Sequence, residues 1–445
     1  MLNDDMRAAV QHTLGGPDVL EVTRIPRPVP LPTEVLVRVH AAGINPVDWK
    51  TRAGGGMAGV LGSPPFVLGW DVSGVVEATG AGVTTFAVGD EVYGMPWFPR
   101  AAGGYAEYVT APSRQFARKP SSVTHTQAAA VPLAALTAWQ ALVDTAGLRA
   151  GQRVLVHAAA GGVGHFAVQF AKHLGAYVIA TASARNHSWL FELGADEVVD
   201  YTAVRFEDAV AAVDVVLDLV GDGHDSTSTR SLSVLRPGGV LLAIPSGAAP
   251  ELVAAGQKRD VRVTGFLVEP DGAALIQIAG LIDAGAVRVE AKAYPLDQVA
   301  RAHRDGEAGH TRGKLVLDLA PSRADTADGD DDDDISRTTA FYEIRRYQAN
   351  QGRRADLVRC MEDIVLPFVG SRGMSVTGSF IDEQDPDGYV WIRRFDSEAD
   401  RVAQYAAVYQ DEQWTSDIGP SVLALMDPEK AVITRALPTL QSPMA

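Results

Sequence analysis

The chain has a single cysteine, Cys360, in 445 residues. One thiol excludes an internal disulfide and any cysteine-rich zinc site, and it fits a reducing, cytoplasmic setting. Long hydrophobic runs are also missing. No stretch reaches the roughly 18 consecutive apolar residues that a membrane span needs. The opening Met-Leu-Asn-Asp-Asp lacks a basic and apolar leader region. Positive charge is scarce: 39 Lys and Arg against 55 Asp and Glu leave a net charge of -16. Nucleic acid and anionic membrane surfaces repel such a chain. The expected partners are a small molecule and further copies of the chain.

At 445 residues the chain exceeds one compact domain, and 47% hydrophobic residues support large cores. The most informative stretch is residues 155–164, Leu-Val-His-Ala-Ala-Ala-Gly-Gly-Val-Gly. An apolar run (Val154 to Val156) ends in small residues, and a helical pattern follows from Val163 to Leu174. Strand, glycine turn and helix in that order are the context of a dinucleotide fingerprint. Its form here is Ala159-x-Gly161-x-x-Gly164, with Gly162 and Val163 between the last two glycines. Gly161 admits the pyrophosphate, Gly164 lets helix and strand pack closely, and the helix N-terminus holds the phosphate charge. The next strand, Ala176 to Thr181, runs into Ala-Ser-Ala-Arg-Asn, with no acid before Glu192. An NAD site carries an acid there for the ribose hydroxyls. Ser183 and Arg185 suit a 2′-phosphate instead, so the expected cofactor is NADPH.

Residues 320–336 hold seven Asp and one Arg. Self-repulsion and the lack of apolar side chains predict an extended, mobile linker. Upstream, Glu34 to Val39, Asp71 to Glu77 and Gly104 to Val109 read as strands. From about 123 to 265 strands and helices alternate, with Val213 to Val220 and Val240 to Ile244 apolar enough for buried parallel strands. Residues 273–284 read as a helix.

These stretches in this order resemble the medium-chain dehydrogenase/reductase superfamily, in its zinc-free quinone oxidoreductase branch. The matching segments are residues 42–50 (Ala-Gly-Ile-Asn-Pro-Val-Asp-Trp-Lys), 68–76, 88–93, 103–108, 133–140, the fingerprint and 309–316. The resemblance implies an α/β protein. Residues 1–122 and 266–319 form a GroES-like catalytic domain, and residues 123–265 a Rossmann doubly wound NADPH-binding domain. It further implies hydride transfer from NADPH to a quinone or to the β-carbon of an α,β-unsaturated carbonyl. The metal-binding Cys of the zinc enzymes aligns with Asn45, and their Gly-His-Glu motif with Gly69-Trp70-Asp71. Without thiolates or a paired His, no tetrahedral zinc site is expected.

By the same resemblance Asn45 sits against the nicotinamide, and Thr137 bonds near its carboxamide or ribose. Ser246 and Lys314 join the cofactor-binding set. Lys50 places a cation where enolate charge develops, and Asp48 orients it; both are equally compatible with a structural corner. Residues 54–59 offer no Tyr proton donor of the kind used by related thioester reductases.

Residues 337–445 read as a separate unit. Phe341 to Tyr347 alternates like a half-buried strand. A helix over Arg353 to Val369, strands over Ser375 to Ile381 and Tyr389 to Phe395, a helix over Ser397 to Tyr409 and a strand over Ala431 to Leu437 follow. This β-α-β-β-α-β order is ferredoxin-like. The residues Tyr-Glu-Ile-Arg-Arg-Tyr (342–347), Trp391, Phe-Asp-Ser-Glu (395–398) and Asp-Glu-Gln-Trp (411–414) resemble the NIPSNAP family. Such domains resemble dimeric α/β barrels, which implies a homo-oligomer paired through the sheet. Arg345, Arg346, Arg393 and Arg394 read as solvated strand faces or as an anionic cleft. Two other functions remain open: a second reaction on the reduced product by this unit, or a regulatory NADPH-binding protein with little turnover.

Overall fold

The computed structural model describes residues 5–245, 247–309, 311–319, 341–383, 385–396 and 398–436. Ser246 and the Asp-rich segment 320–336 lie outside the described residues. The chain divides into two units, residues 1–325 and 326–445.

Among the described residues the first unit holds three sheets. Asp5–Gln11 pairs antiparallel with Leu20–Pro26 and Phe66–Val67 in a small one. Glu34–Ile44 centres a seven-stranded sheet, flanked by Lys314–Asp318 on one side and Asp71–Thr79 on the other. Ala291–Pro295 and Lys314–Asp318 come from late in the sequence and return to this early sheet. The third sheet is wholly parallel, in the order Glu197–Val199, Tyr177–Thr181, Arg153–Val156, Val213–Asp218, Leu235–Ala243, Arg262–Thr264. Strand order reverses beside Arg153–Val156, the switch point where such sheets bind ligands. Val213–Asp218 is buried at every position, as a strand covered on both faces requires. One continuous core joins Trp70 and Phe98 of the early part to Leu133, Phe166 and Leu217.

The strand expected over Gly104 to Val109 forms instead at Tyr108–Pro112. Gly104 and Tyr105 donate their backbone N–H groups to Gly69 and Leu68, which ties this stretch down before the strand begins. The other segments fall within a few residues of expectation, including the helix Gly272–Asp283.

The second unit is a four-stranded antiparallel sheet. Its order is Ser375–Ile381, Gly388–Phe395, Phe341–Ala349, Met426–Ala436. Among the described residues three helical segments lie between the strands, 354–371, Glu398–Tyr409 and 414–423. The first contains a wide turn at Met361–Val365. Pro367 has no N–H to give the preceding turn, so the regular ladder breaks there. Phe341, Trp391 and Phe395 meet Leu357, Met361 and Val408 in its core.

Candidate active site

The fingerprint turn follows from its small residues. Strand Arg153–Val156 ends, and Ala158 adopts a left-handed φ of 48°. The Gly161 N–H then bonds the Ala158 carbonyl at 2.9 Å. A Cβ on Gly164 would stand 2.4 Å from that same carbonyl oxygen, so only glycine lets the helix Gly164–His173 start there. The first helical bond runs from His165 N–H to Gly161 O. The amides of Gly162, Val163 and Gly164 precede it at the helix N-terminus, an arrangement that accepts a phosphate. Gly161, Gly162, Val163 and Gly164 all line a cavity of about 510 Å³. Ala159 does not: it is buried, and its N–H is bonded to Thr181 O. His165 lies under the turn with Nδ1 3.0 Å from Gly161 O, and burial holds its pKa down to about 4.

A second cavity, of about 940 Å³, adjoins Gly161 on the other side. Ser183 and Arg185 line it together with Tyr201, Thr202 and Arg230. The two sequence-expected phosphate residues therefore share one cavity, next to the fingerprint. These residues fit a dinucleotide: backbone amides for the pyrophosphate, and a hydroxyl and a guanidinium beside the ribose position.

The opposite wall of the first cavity is built by Asn45 and the short helix Pro46–Arg52. Asn45 is nearly inaccessible, and both ends of its amide are occupied. Nδ2 donates to Asp71 Oδ2 at 2.8 Å, and Oδ1 accepts from Lys314 Nζ. The Lys314 ammonium also donates to Ile44 O at 2.7 Å and lies 3.7 Å from Asp71. Asp71 accepts a further bond from Leu133 N–H. Burial pushes the Lys314 pKa down and that of Asp71 up, and their mutual attraction opposes both shifts. Thr137 lines the cavity, but its hydroxyl donates back to Leu133 O.

One sequence expectation needs correction. Asp48 does not orient Lys50. Positions 48 and 50 face different sides of a helix. The Asp48 carboxylate turns inward and accepts the Asn45 N–H at 2.6 Å. Burial raises its pKa to about 7. Lys314 reaches the cavity with its stem, while its charge is committed to Ile44, Asn45 and Asp71. Lys50 stands exposed on the cavity wall, and no hydrogen bond or ion pair engages its ammonium among the described residues. The rest of the wall is largely apolar, with Trp49, Met57, Phe98, Leu133, Phe266 and Val268.

Comparison with known proteins fits this geometry. An alcohol dehydrogenase GroES-like domain matches residues 31–121, and a family described as zinc-binding dehydrogenase matches residues 193–317. The zebrafish mitochondrial NAD(P)H oxidoreductase RTN4IP1 is 35% identical over 360 residues, covering 71% of this chain and 91% of the relative. The chain belongs to the quinone oxidoreductase-type branch of the medium-chain dehydrogenase/reductase superfamily. It is an oxidoreductase that uses a nicotinamide cofactor. The NADPH-dependent alkenal/one oxidoreductase of Arabidopsis thaliana is 35% identical, over 70% of this chain and 80% of the relative. The solved quinone oxidoreductase of Coxiella burnetii shares 37% identity at a TM-score of 0.67, over 71% of this chain and 99% of that one. No helix among the described residues is long and apolar enough to cross a membrane.

Sequence reasoning missed the polar groups behind the wall. Arg52, Tyr105 and His303 are all buried, and the two ring nitrogens of His303 bond one to Arg52 and the other to Tyr105. They are separated by up to 251 positions, and no local pattern announces such a contact.

Proposed function

We propose that the first unit is an NADPH-dependent, zinc-free reductase of quinones and α,β-unsaturated carbonyls. The observation that carries this reading is the first cavity. Fingerprint glycines form one side, a largely apolar wall the other, and Lys50 is a cation with no partner among the described residues. A reduced nicotinamide bound there supplies a hydride. The apolar wall seats a flat conjugated acceptor. As hydride reaches the β-carbon, electron density moves to the carbonyl oxygen, and the Lys50 ammonium stabilises it. A solvent proton then completes the reduced product at the α-carbon. Ser183 and Arg185 support NADPH over NADH. The zinc-free reading rests on donor chemistry: a lysine ammonium already serves Ile44 O, Asn45 Oδ1 and Asp71, where a metal would need those oxygens. The test is NADPH oxidation with a quinone and an enone as acceptors. Lys50→Met should lower kcat by about a hundred-fold, on the scale of losing one donor to a developing oxyanion.

For the second unit we propose a ferredoxin-like, NIPSNAP-type domain, with limits at residues 337–445 after the 320–336 segment. The β-α-β-β-α-β order supports it. The sheet face that alternates away from the core carries Ile344 opposite Ile392, with Val390 beside them. Phe380 and Val432 are half exposed. Pairing of this face with a second copy makes the protein a dimer, which light scattering on the full chain tests. The single cysteine supports a reducing, cytoplasmic location.

A further inference from the structure

Behind the cavity wall, three buried side chains, Arg52, His303 and Tyr105, form a hydrogen-bonded chain. Arg52 Nη1 lies 3.0 Å from His303 Nδ1. His303 Nε2 lies 3.3 Å from the Tyr105 hydroxyl. Tyr105 lies near the Asp48 carboxyl, whose Oδ1 is buried with no hydrogen-bond partner among the described residues. Asp48 and Arg52 are four residues apart and share one face of the helix Pro46–Arg52. That helix presents Val47, Trp49 and Lys50 to the cavity.

The direction of each bond can be worked out. A guanidinium only donates, so His303 Nδ1 must accept. A neutral imidazole then carries its proton on Nε2 and donates it to the Tyr105 oxygen. Burial, and after it the charge of Arg52, hold the His303 pKa down to about 3, so the ring stays neutral. Arg52 is itself fixed by Glu307 at 2.6 Å and Gly15 O at 3.0 Å. Gly306, on the helix Val299–Glu307 that carries His303, is so close to Trp49 that a Cβ there would meet the ring at 2.7 Å.

We propose that His303 is a positioning residue: locked by Arg52 as the neutral Nε2–H tautomer, it fixes the rotation of the wall helix and so aims Lys50 at the acceptor. This rests on the reading of Lys50 given above. The chain of bonds holds the helix through Arg52, in its last turn, which sets what the opposite face presents. None of Arg52, His303 and Tyr105 lines the cavity where cofactor or acceptor would lie.

Two measurements test it on the full chain. The first needs no functional variant. Nitrogen-15 NMR with labelled histidine should show one buried ring as the Nε2–H tautomer, unchanged down to pH 5. That signal should vanish in His303→Asn. An Nδ1–H tautomer, or a protonated His303 at pH 6, overturns the proposal. The second is kinetic. His303→Asn should lower kcat by about ten- to a hundred-fold, the scale of a small misplacement at a reacting centre. NADPH affinity should stay within about two-fold of wild type, because the fingerprint is untouched. Equal losses in kcat and NADPH affinity show a merely structural residue and overturn it. In a Lys50→Met background the His303 change should have no further effect on kcat. If Lys50→Met alone leaves kcat intact, the Lys50 reading fails and the NMR result still decides the tautomer.

Discussion

A Cβ placed on Gly162 would stand 2.8 Å from Cδ of Lys314. The Lys314 stem cannot swing away, because its ammonium is tied to Ile44 O and Asn45. The backbone repeats the link: Gly313 N–H donates to Ala160 O at 3.0 Å. The cofactor turn and the wall bearing Asn45 are thus held together through one buried lysine. Gly162→Ala should overpack this contact at a cost of about 1–3 kcal/mol. We expect NADPH affinity and kcat to fall together. Gly223→Ala, at a glycine with open space around its Cβ position, should change neither. Fluorescence titration with NADPH checks both variants.

The second cavity predicts cofactor choice. Arg185 lines it beside Ser183, at the end of the strand Tyr177–Thr181. A hydrogen bond to a charged group contributes about 1.5–3 kcal/mol. Arg185→Ala should therefore weaken NADPH by about ten-fold or more and leave NADH nearly unchanged. Equal losses for the two cofactors would mean that Arg185 does not meet the 2′-phosphate.

Asp48 predicts a pH dependence. Its pKa rises from 3.8 to about 7 in the folded chain, chiefly through burial. Between those values the folded state holds a proton that the unfolded state has lost. Stability from this group is therefore fully present below about pH 4 and is lost as pH rises towards about 7. Asp48→Asn removes that titration while keeping an acceptor for the Asn45 N–H. Denaturant unfolding from pH 4 to 8 should show the wild type losing stability relative to the variant up to about pH 7, and a constant difference above it.

Much of this was legible in the sequence where the signal is local. The fingerprint reads as strand, turn and helix because Gly161 and Gly164 sit where the backbone must approach closely. Ser183 and Arg185 follow a recognisable strand. Lys50 was singled out as following Asn45 on the same segment, and it stands exposed on the wall of the first cavity. The reasons why Asp48 and Asn45 face inward were not. Asn45 is tied to Asp71 and Lys314, 26 and 269 positions away. Asp48 lies near Tyr105, in a stretch that reads as a strand but is held as a loop. Such pairings depend on which strand returns to which sheet edge, and side-chain periodicity carries no information about that.

The arginines of the second unit show the same limit and supply the last prediction. Alternation puts Arg345 and Arg393 on one face and Arg346 and Arg394 on the other. A solvated reading suits only the second pair. Arg393 is fully buried, and Arg345 is 8% exposed. Arg393 Nη2 donates to Glu343 at 2.6 Å and to the Tyr405 hydroxyl at 2.7 Å. Arg345 donates to Glu343 at 3.3 Å, and Tyr405 donates to it at 2.8 Å. Burial would raise the Glu343 pKa, but Arg393 and its neighbours hold it below the usual range. One carboxylate thus serves two buried guanidiniums. Removing one partner of a buried ion pair costs about 3–5 kcal/mol, because the other charge stays uncompensated. Glu343→Gln should destabilise the second unit by that amount. Unfolding followed by the fluorescence of Trp391 and Trp414 should move to lower denaturant, while NADPH binding by the first unit stays unchanged. A variant as stable as the wild type would mean that the aromatic rings around Arg393, with Trp391 at 4.9 Å and Tyr405 at 4.9 Å, suffice to hold its charge.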